Sequence, residues 1–250
     1  MKTYDRLVKL SQKRANYFCL IDPDSIDVKD AARIATTFEE NGVDGILVGG
    51  SMMLKDNFEI VLKIIKESVK IPVLIFPGIF NFVSPYADAL LLLSMVSSRN
   101  AQMLIGEQVR AAPLIKQYNL ESIGTGYMLI DGGRNTSVQY MSFSQPIPRD
   151  KNDIAIAHAL AAQYLGMKLI YMDAGSGANF PISNEMITAI KSNIDIPLIV
   201  GGGIKTPEVA RQKAEAGADF IIIGSALEKT QDVTLIKEFV DAIHGVKRND

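Results

Sequence analysis

One cysteine, two histidines and almost no net charge leave this 250-residue chain without the usual equipment for several chemistries. The lone Cys19 excludes an intramolecular disulfide and a cysteine-cluster metal site, and its place in an apolar run predicts a buried structural thiol. Net charge is −2, from 26 Lys and Arg against 28 Asp and Glu, and the basic residues are scattered. A nucleic-acid partner therefore has no electrostatic footprint, and any anionic ligand must be gripped locally. His158 and His244 both fall in helical stretches expected on the outside, which argues against a histidine acid/base or a histidine-bound metal. No apolar stretch approaches the roughly 20 residues that span a bilayer. Residues 1–16 are charged and helical in pattern and lack the apolar h-region of a signal peptide, so a cytoplasmic protein without a transmembrane segment is expected.

What is present is hydrophobic residue in quantity, 48%, distributed as short apolar runs alternating with amphipathic stretches. That alternation at this length predicts one domain, a (β/α)8 TIM barrel. Eight strands are expected at Tyr17 to Ile21, Gly45 to Val48, Val73 to Phe76, Ala89 to Leu92, Ser122 to Leu129, Lys168 to Met172, Leu198 to Val200, and Phe220 to Ile223. Helices are clearest at Val28 to Asn41, Phe58 to Ser68, Ala101 to Tyr118, Asn152 to Leu165, Glu185 to Ser192, Pro207 to Ala216 and Val233 to Ile243. Met141 to Lys151, with two prolines, reads as a long loop after strand five. The segment after strand three is modified: the run from Phe76 to Pro85 is rich in breakers and aromatics and carries no strong helix. A weak repeat matches strand three with seven and four with eight, as in Ala87-Asp88-Ala89 and Ala218-Asp219-Phe220, the offset that two half-barrels would leave.

Two glycine turns near the C-terminus read as a phosphate grip. Gly201-Gly202-Gly203 follows one strand and Gly224-Ser225 the next, so backbone N–H groups can converge on one dianion where no side chain obstructs. After strands seven and eight of a barrel, that pairing has a natural home.

The strand C-termini share one mouth, so polar residues there are the candidates for chemistry. Asp22 directly follows strand one and suits either a hard cation or a turn and N-cap role, whereas capping is the reading for Asp24. Ser51 after Gly49-Gly50 offers a hydroxyl to the same region or caps the next segment. Asp173 ends strand six just before Gly175-Ser176-Gly177, whose hydroxyl and N–H groups can serve the same ligand, and a carboxylate there can take a proton from an alcohol. Tyr171 points to the same face as Asp173, either as a donor or as barrel filling. Lys168 opens strand six at the wrong rim for a Schiff base. An apolar flank around Phe76, Phe80, Phe82 and the strand-four mouth is either core packing or a groove for a long hydrocarbon.

Taken together, Leu20-Ile21-Asp22-Pro23-Asp24, Gly49-Gly50-Ser51, Gly126-Tyr127, the run from Tyr171 to Ala178, Gly201 to Ile204 and Gly224-Ser225 resemble the geranylgeranylglyceryl phosphate synthase family, which includes the PcrB-type heptaprenylglyceryl phosphate synthases. The extra glycine in Ala174-Gly175-Ser176-Gly177 is similar to the second of that family's two groups. The resemblance implies transfer of a prenyl chain, geranylgeranyl above others, from a polyprenyl diphosphate to the sn-3 hydroxyl of sn-glycerol 1-phosphate. It implies Asp22 and Ser51 as holders of Mg2+. It implies Tyr127, Tyr171, Asp173, Ser176, Gly177, Gly202, Gly203, Gly224 and Ser225 as substrate-binding, with Asp173 and Tyr171 catalytic and Asp173 the proton acceptor. A homo-oligomer, dimer or hexamer, and transient contact with a membrane surface for a lipid product are further expectations. Two departures stand out: Asp173 where many relatives have glutamate, and Leu20 where some carry lysine. Two competing expectations remain open, a sugar-phosphate isomerase or lyase on the same barrel, and a non-catalytic phosphate-ligand binding barrel.

Overall fold

The computed structural model describes residues 1–50, 52–78, 82–224 and 232–248. Eight parallel strands close into a barrel in sequence order: β1 (Asn16–Ile21), β2 (Gly45–Gly49), β3 (Val73–Phe76), β4 (Ala89–Met95), β5 (Glu121–Leu129), β6 (Leu169–Asp173), β7 (Leu198–Gly201) and β8 (Phe220–Ile223). β8 pairs back onto β1, with Phe18 opposite Ile222. The helices are α1 (Thr3–Ser11), α2 (Ala31–Glu40), α3 (Phe58–Ser68), α4 (Glu107–Tyr118), α5 (Ser137–Ser142), α6 (Asn152–Tyr164), α7 (Asn184–Lys191), α8 (Pro207–Glu215) and α9 (Val233–His244). Among the described residues none is long and apolar enough to cross a membrane.

Strand alternation sorts the side chains into two cores. Phe18, Leu47, Leu74, Leu91, Ile123, Leu169, Ile199, Phe220 and Ile222 fill the lumen. Their neighbours Tyr17, Cys19, Ile46, Ile75, Met128, Ile170, Met172 and Ile221 face the helices. Cys19 is accordingly buried, and burial pushes its thiol up to about 12, so it is inert as a nucleophile. α1 closes the lower rim: Leu7 joins the lumen cluster, and the Glu121 carboxylate accepts from the N–H groups of Thr3 and Tyr4 at 2.7 and 3.0 Å.

The eight expected strands are all present, with ends that shift by at most one residue except at β4. β4 runs on to Met95, three residues past the expected Leu92, because Leu93 and Met95 still pack toward the lumen. β6 starts at Leu169 and takes in Asp173, whose backbone partners Gly201 on β7. The expected helix at Val28 begins as a 3-10 turn, Val28–Asp30, capped by the Asp27 carboxylate on Lys29 N–H. Capping by Asp24 is therefore not what the structure shows. Its carboxylate instead accepts from the N–H groups of Leu54 and Lys55, tying the loop after β2 to the loop after β1. The expected helix from Ala101 opens with a π turn, Gln102–Gly106. The loop expected from Met141 begins later, since α5 already occupies Ser137–Ser142 and ends in a left-handed Phe143. Between β3 and β4 the described residues hold no helix, while Phe82 and Val83 pack against the helix-facing core there.

Candidate active site

A cavity of about 250 Å3 sits at the C-terminal mouth, lined by Leu20, Asp22, Gly50, Phe76, Tyr171, Asp173, Ser176, Gly202, Gly203 and Gly224 among others. β1 and β6 deliver the two acids by the same alternation that builds the lumen: Asp22 continues the face of Phe18 and Leu20, and Asp173 that of Leu169 and Tyr171. Asp22 is half-buried. Its Oδ1 accepts the N–H of Asp24 at 2.9 Å, and Gly50 packs so closely that a Cβ there would lie 3.0 Å from Oδ2. Burial, and then the charge of Asp24, raise its carboxyl above the ordinary value, against the Asp24 N–H and Lys55.

Asp173 is buried and held from two sides. Tyr127 Oη donates to its Oδ2 at 2.5 Å and Gly175 N–H to its Oδ1 at 2.7 Å. Burial pushes its carboxyl up against both hydrogen bonds. Gly202, in the left-handed region at φ 82°, crosses over it, and a Cβ there would sit 2.6 Å from Oδ1. Only glycine permits that approach. Tyr171 is clamped between Phe76 and Tyr127, with ring centroids 5.6 and 5.4 Å away. Its hydroxyl makes no hydrogen bond to the described residues and stays at the cavity wall.

The candidate residues are thus largely gathered in one place, with exceptions. Tyr127 gives its hydroxyl to Asp173 and lines the neighbouring apolar groove rather than this cavity. Gly177 lies past the cavity wall, its carbonyl 3.4 Å from Arg134 Nη1. Ser51, Ser225 and Phe80 lie outside the described residues. Ser137, at the start of α5, lines the cavity and went unnoticed in the sequence because a six-residue helix leaves no periodic signal. Lys168 is at the opposite rim, its ammonium 5.2 Å from the Tyr4 ring centroid. Phe76 also borders a second cavity of about 50 Å3, walled by Pro77, Leu93, Met95, Met103, Tyr127 and Val138.

The profile of the PcrB family matches residues 9–243. The chain belongs to the PcrB family. A geranylgeranylglyceryl phosphate synthase from Chitinophaga pinensis is 46% identical over 245 residues, covering 98% of this chain and 96% of the relative. Another from Thermococcus gammatolerans is 43% identical over 238 residues, 94% of each chain. The crystal structure of (S)-3-O-geranylgeranylglyceryl phosphate synthase from Thermoplasma acidophilum, in complex with its substrate sn-glycerol-1-phosphate, superposes with a TM-score of 0.94 at 35% identity, covering 98% of this chain and 100% of that one. This PcrB-family barrel is an enzyme of the geranylgeranylglyceryl phosphate synthase kind.

Proposed function

We propose that the chain transfers a geranylgeranyl group from its diphosphate to the sn-3 hydroxyl of sn-glycerol 1-phosphate, with Mg2+, releasing diphosphate. One observation supports this most: Asp22, Asp173 and the Gly202, Gly203 and Gly224 turns share a cavity that borders an apolar groove at Phe76. The Thermoplasma acidophilum relative binds sn-glycerol-1-phosphate on the same fold.

The glycerol phosphate dianion suits the backbone N–H groups of the two glycine turns and Ser176, with Tyr171's hydroxyl beside it. The alcohol to be alkylated then lies within reach of Asp173. Tyr127 and Gly175 fix that carboxylate, while burial raises its basicity, so it takes the hydroxyl proton as the new C–O bond forms. Gly202 brings the glycine loop down to this shorter carboxylate.

Asp22 fits Mg2+. Its half-buried carboxylate has its charge opposed by burial and by Asp24, a cost that a bound cation relieves. No group of three or more His, Cys, Asp and Glu gathers among the described residues, and Mg2+ characteristically binds through one or two carboxylates plus water and substrate phosphates. Asp22, with Ser51, would hold it. When bound it would neutralise charge building on the leaving diphosphate, an effect of several kcal/mol. The tail would lie along Phe76, Leu93, Met95 and Met103, where each buried CH2 contributes about 0.8 kcal/mol.

We read the protein as cytoplasmic, meeting a membrane surface only to deliver its lipid, and as a homo-oligomer. Exposed Tyr164 and Leu165 at the end of α6, and Ile105 and Val109 around the start of α4, are apolar side chains that contacts between copies would cover. The test is incubation with Mg2+, labelled sn-glycerol 1-phosphate, and farnesyl, geranylgeranyl or heptaprenyl diphosphate. Formation of an ether product with geranylgeranyl diphosphate is expected. No ether product with any of the three would end the reading.

A further inference from the structure

The reaction cavity calls for positive charge, and its described lining holds neither lysine nor arginine. Asp22 and Asp173 face it, and both substrates of the proposed reaction are anions. One divalent cation cannot balance two carboxylates, a phosphate and a diphosphate together, so a cation held at the rim would be felt inside. Lys55, on the loop after β2, is held there. The Asp24 carboxylate accepts the N–H groups of Leu54 and Lys55, at 2.5 and 3.0 Å, and the Asp24 carbonyl accepts the Lys55 ammonium at 2.6 Å. A third tie comes from the Asn57 amide, which donates to the Pro23 carbonyl at 2.8 Å. The loops after β1 and β2 are thus laced together beside Asp22. The carbonyl under the ammonium belongs to the Asp24–Ser25 peptide, and Ser25 lines the cavity, as does Met52 on the loop of Lys55 itself. The ammonium therefore stands one peptide unit from the cavity wall. On the other side of that peptide, the Asp24 N–H donates to Asp22 Oδ1 at 2.9 Å. While burial raises the Asp22 carboxyl, Lys55 is the basic side chain whose charge opposes the rise. An ammonium has three N–H donors, and among the described residues this one gives a single hydrogen bond and forms no ion pair.

Resting on the prenyl-donor reading, we propose that Lys55 is a donor-binding residue: its ammonium turns from the Asp24 carbonyl to the outer phosphoryl oxygens of the diphosphate beside Asp22, and so selects a diphosphate ester over a monophosphate. A point charge on a flexible four-carbon stem can make that turn while the backbone stays pinned by the Asp24 carboxylate. The ester with one phosphoryl group offers nothing at that distance from its carbon chain. Because the lysine is exposed and water screens it, the effect is a matter of binding, equal in the ground and transition states. Arg134, whose Nη1 lies 3.4 Å from the Gly177 carbonyl, belongs to the β6 side of the mouth and has no such approach to Asp22.

The experiment measures binding of inorganic pyrophosphate by calorimetry, with and without Mg2+, in the wild type, Lys55→Met, Lys55→Arg and the control Arg134→Met. Affinity should fall about fivefold in Lys55→Met and stay within about twofold in the other two variants, and the fall should shrink as salt is raised. In turnover, Lys55→Met should raise KM for geranylgeranyl diphosphate by about the same factor, with kcat and the affinity for sn-glycerol 1-phosphate within about twofold of the wild type. Geranylgeranyl monophosphate should bind equally to both proteins. Unchanged pyrophosphate affinity in Lys55→Met would overturn the proposal. So would an equal loss in Arg134→Met, which marks a general field, or an equal loss toward sn-glycerol 1-phosphate with a lowered Tm, which marks Lys55 as a tie for the loop. A wild type that forms no ether with any prenyl donor, while its pyrophosphate affinity still depends on Lys55, counts against the prenyl-donor reading and leaves the anion contact standing.

Discussion

At the lower rim of the barrel, Asp44, Asp88 and Asp219 each stand one residue before an even-numbered strand and make the same two-point contact with the strand beside them. Their N–H groups donate to the carbonyls of Tyr17, Val73 and Leu198, and their carboxylates accept the N–H groups of those same residues, at 2.7 to 2.9 Å throughout. Each is also paired with basic side chains: Asp44 with Arg14 and His244, Asp88 with Lys66, Asp219 with Lys191 and Arg248. At the mouth, Asp22 and Asp173 form no ion pair with the described residues and are oriented by neutral donors. The titration follows the partners. Burial alone would raise Asp44, but hydrogen bonds from His244, Arg14 and the Tyr17 N–H hold it below its ordinary value, whereas burial prevails at Asp22 and Asp173. One residue type ties the barrel together where basic partners satisfy its charge and lines the mouth cavity where none does.

Removing the mouth charge should leave the fold and take the chemistry. Asp173→Asn is expected to lower kcat by about 10² to 10⁴, the range for a lost proton acceptor, with sn-glycerol 1-phosphate affinity within a few-fold of the wild type. Equal losses in kcat and affinity would make Asp173 a binding residue. At the lower rim the effects should be reversed. Asp44→Ala strands Arg14, His244 and the Tyr17 N–H together, at a cost of about 3 kcal/mol or more. That corresponds to a fall in Tm of roughly 6–12 °C for a chain of this size, with kcat near the wild type in the cold. Calorimetry showing an unchanged Tm would dissolve the distinction between the rims.

The strands and the mouth acids were legible because the signals are local. A short apolar run ending in a carboxylate fixes both the strand and the rim at which its last side chain emerges, as at Asp22 and Asp173. The aspartate staples were half legible: the repeat of Ala87-Asp88 in Ala218-Asp219 is in the chain, but its purpose needs the neighbouring strand, 15 to 21 residues away, in place. The burial of Glu107 beside the apolar groove was not legible. This residue shares the i, i+4 face of α4 with buried Ala111, but a glutamate reads as solvated surface, and its partner Gln102 reaches it from the π turn. Nor could spacing reveal that Tyr127 is committed to Asp173, because that bond joins two strands across 46 residues.

Acid sharpens the comparison by a smaller amount. Asp44 is depressed in the folded chain, so its contribution is present above the unfolded carboxylate value of about 3.9 and disappears as pH falls through the lower folded value. The wild type should therefore lose Tm steeply only below about pH 4, and Asp44→Ala should show a shallower acid limb over that window. A pair of thermal melts recorded between pH 3 and pH 7 checks the slope. An identical limb in both proteins would show that Asp44 carries none of the acid sensitivity.

The smallest effect is of the opposite sign. Asp22 is raised by burial and by Asp24, so its contribution is favourable below the unfolded value and is lost as pH rises through the folded one. At neutral pH without ligands its charge opposes folding. Asp22→Asn keeps an oxygen for the Asp24 N–H and removes that charge, so Tm should rise by about 1–3 °C, a modest gain because the group is half-exposed and water screens it. The gain should vanish below about pH 4, where the wild-type carboxyl is protonated as well. Millimolar Mg2+ should then reverse the order of the two proteins, since binding to the folded state alone raises the Tm of the wild type and not of the variant. A variant that melts below the wild type at pH 7 without Mg2+, or that gains as much from Mg2+, would place Asp22 with the lower-rim aspartates, as a group the fold needs.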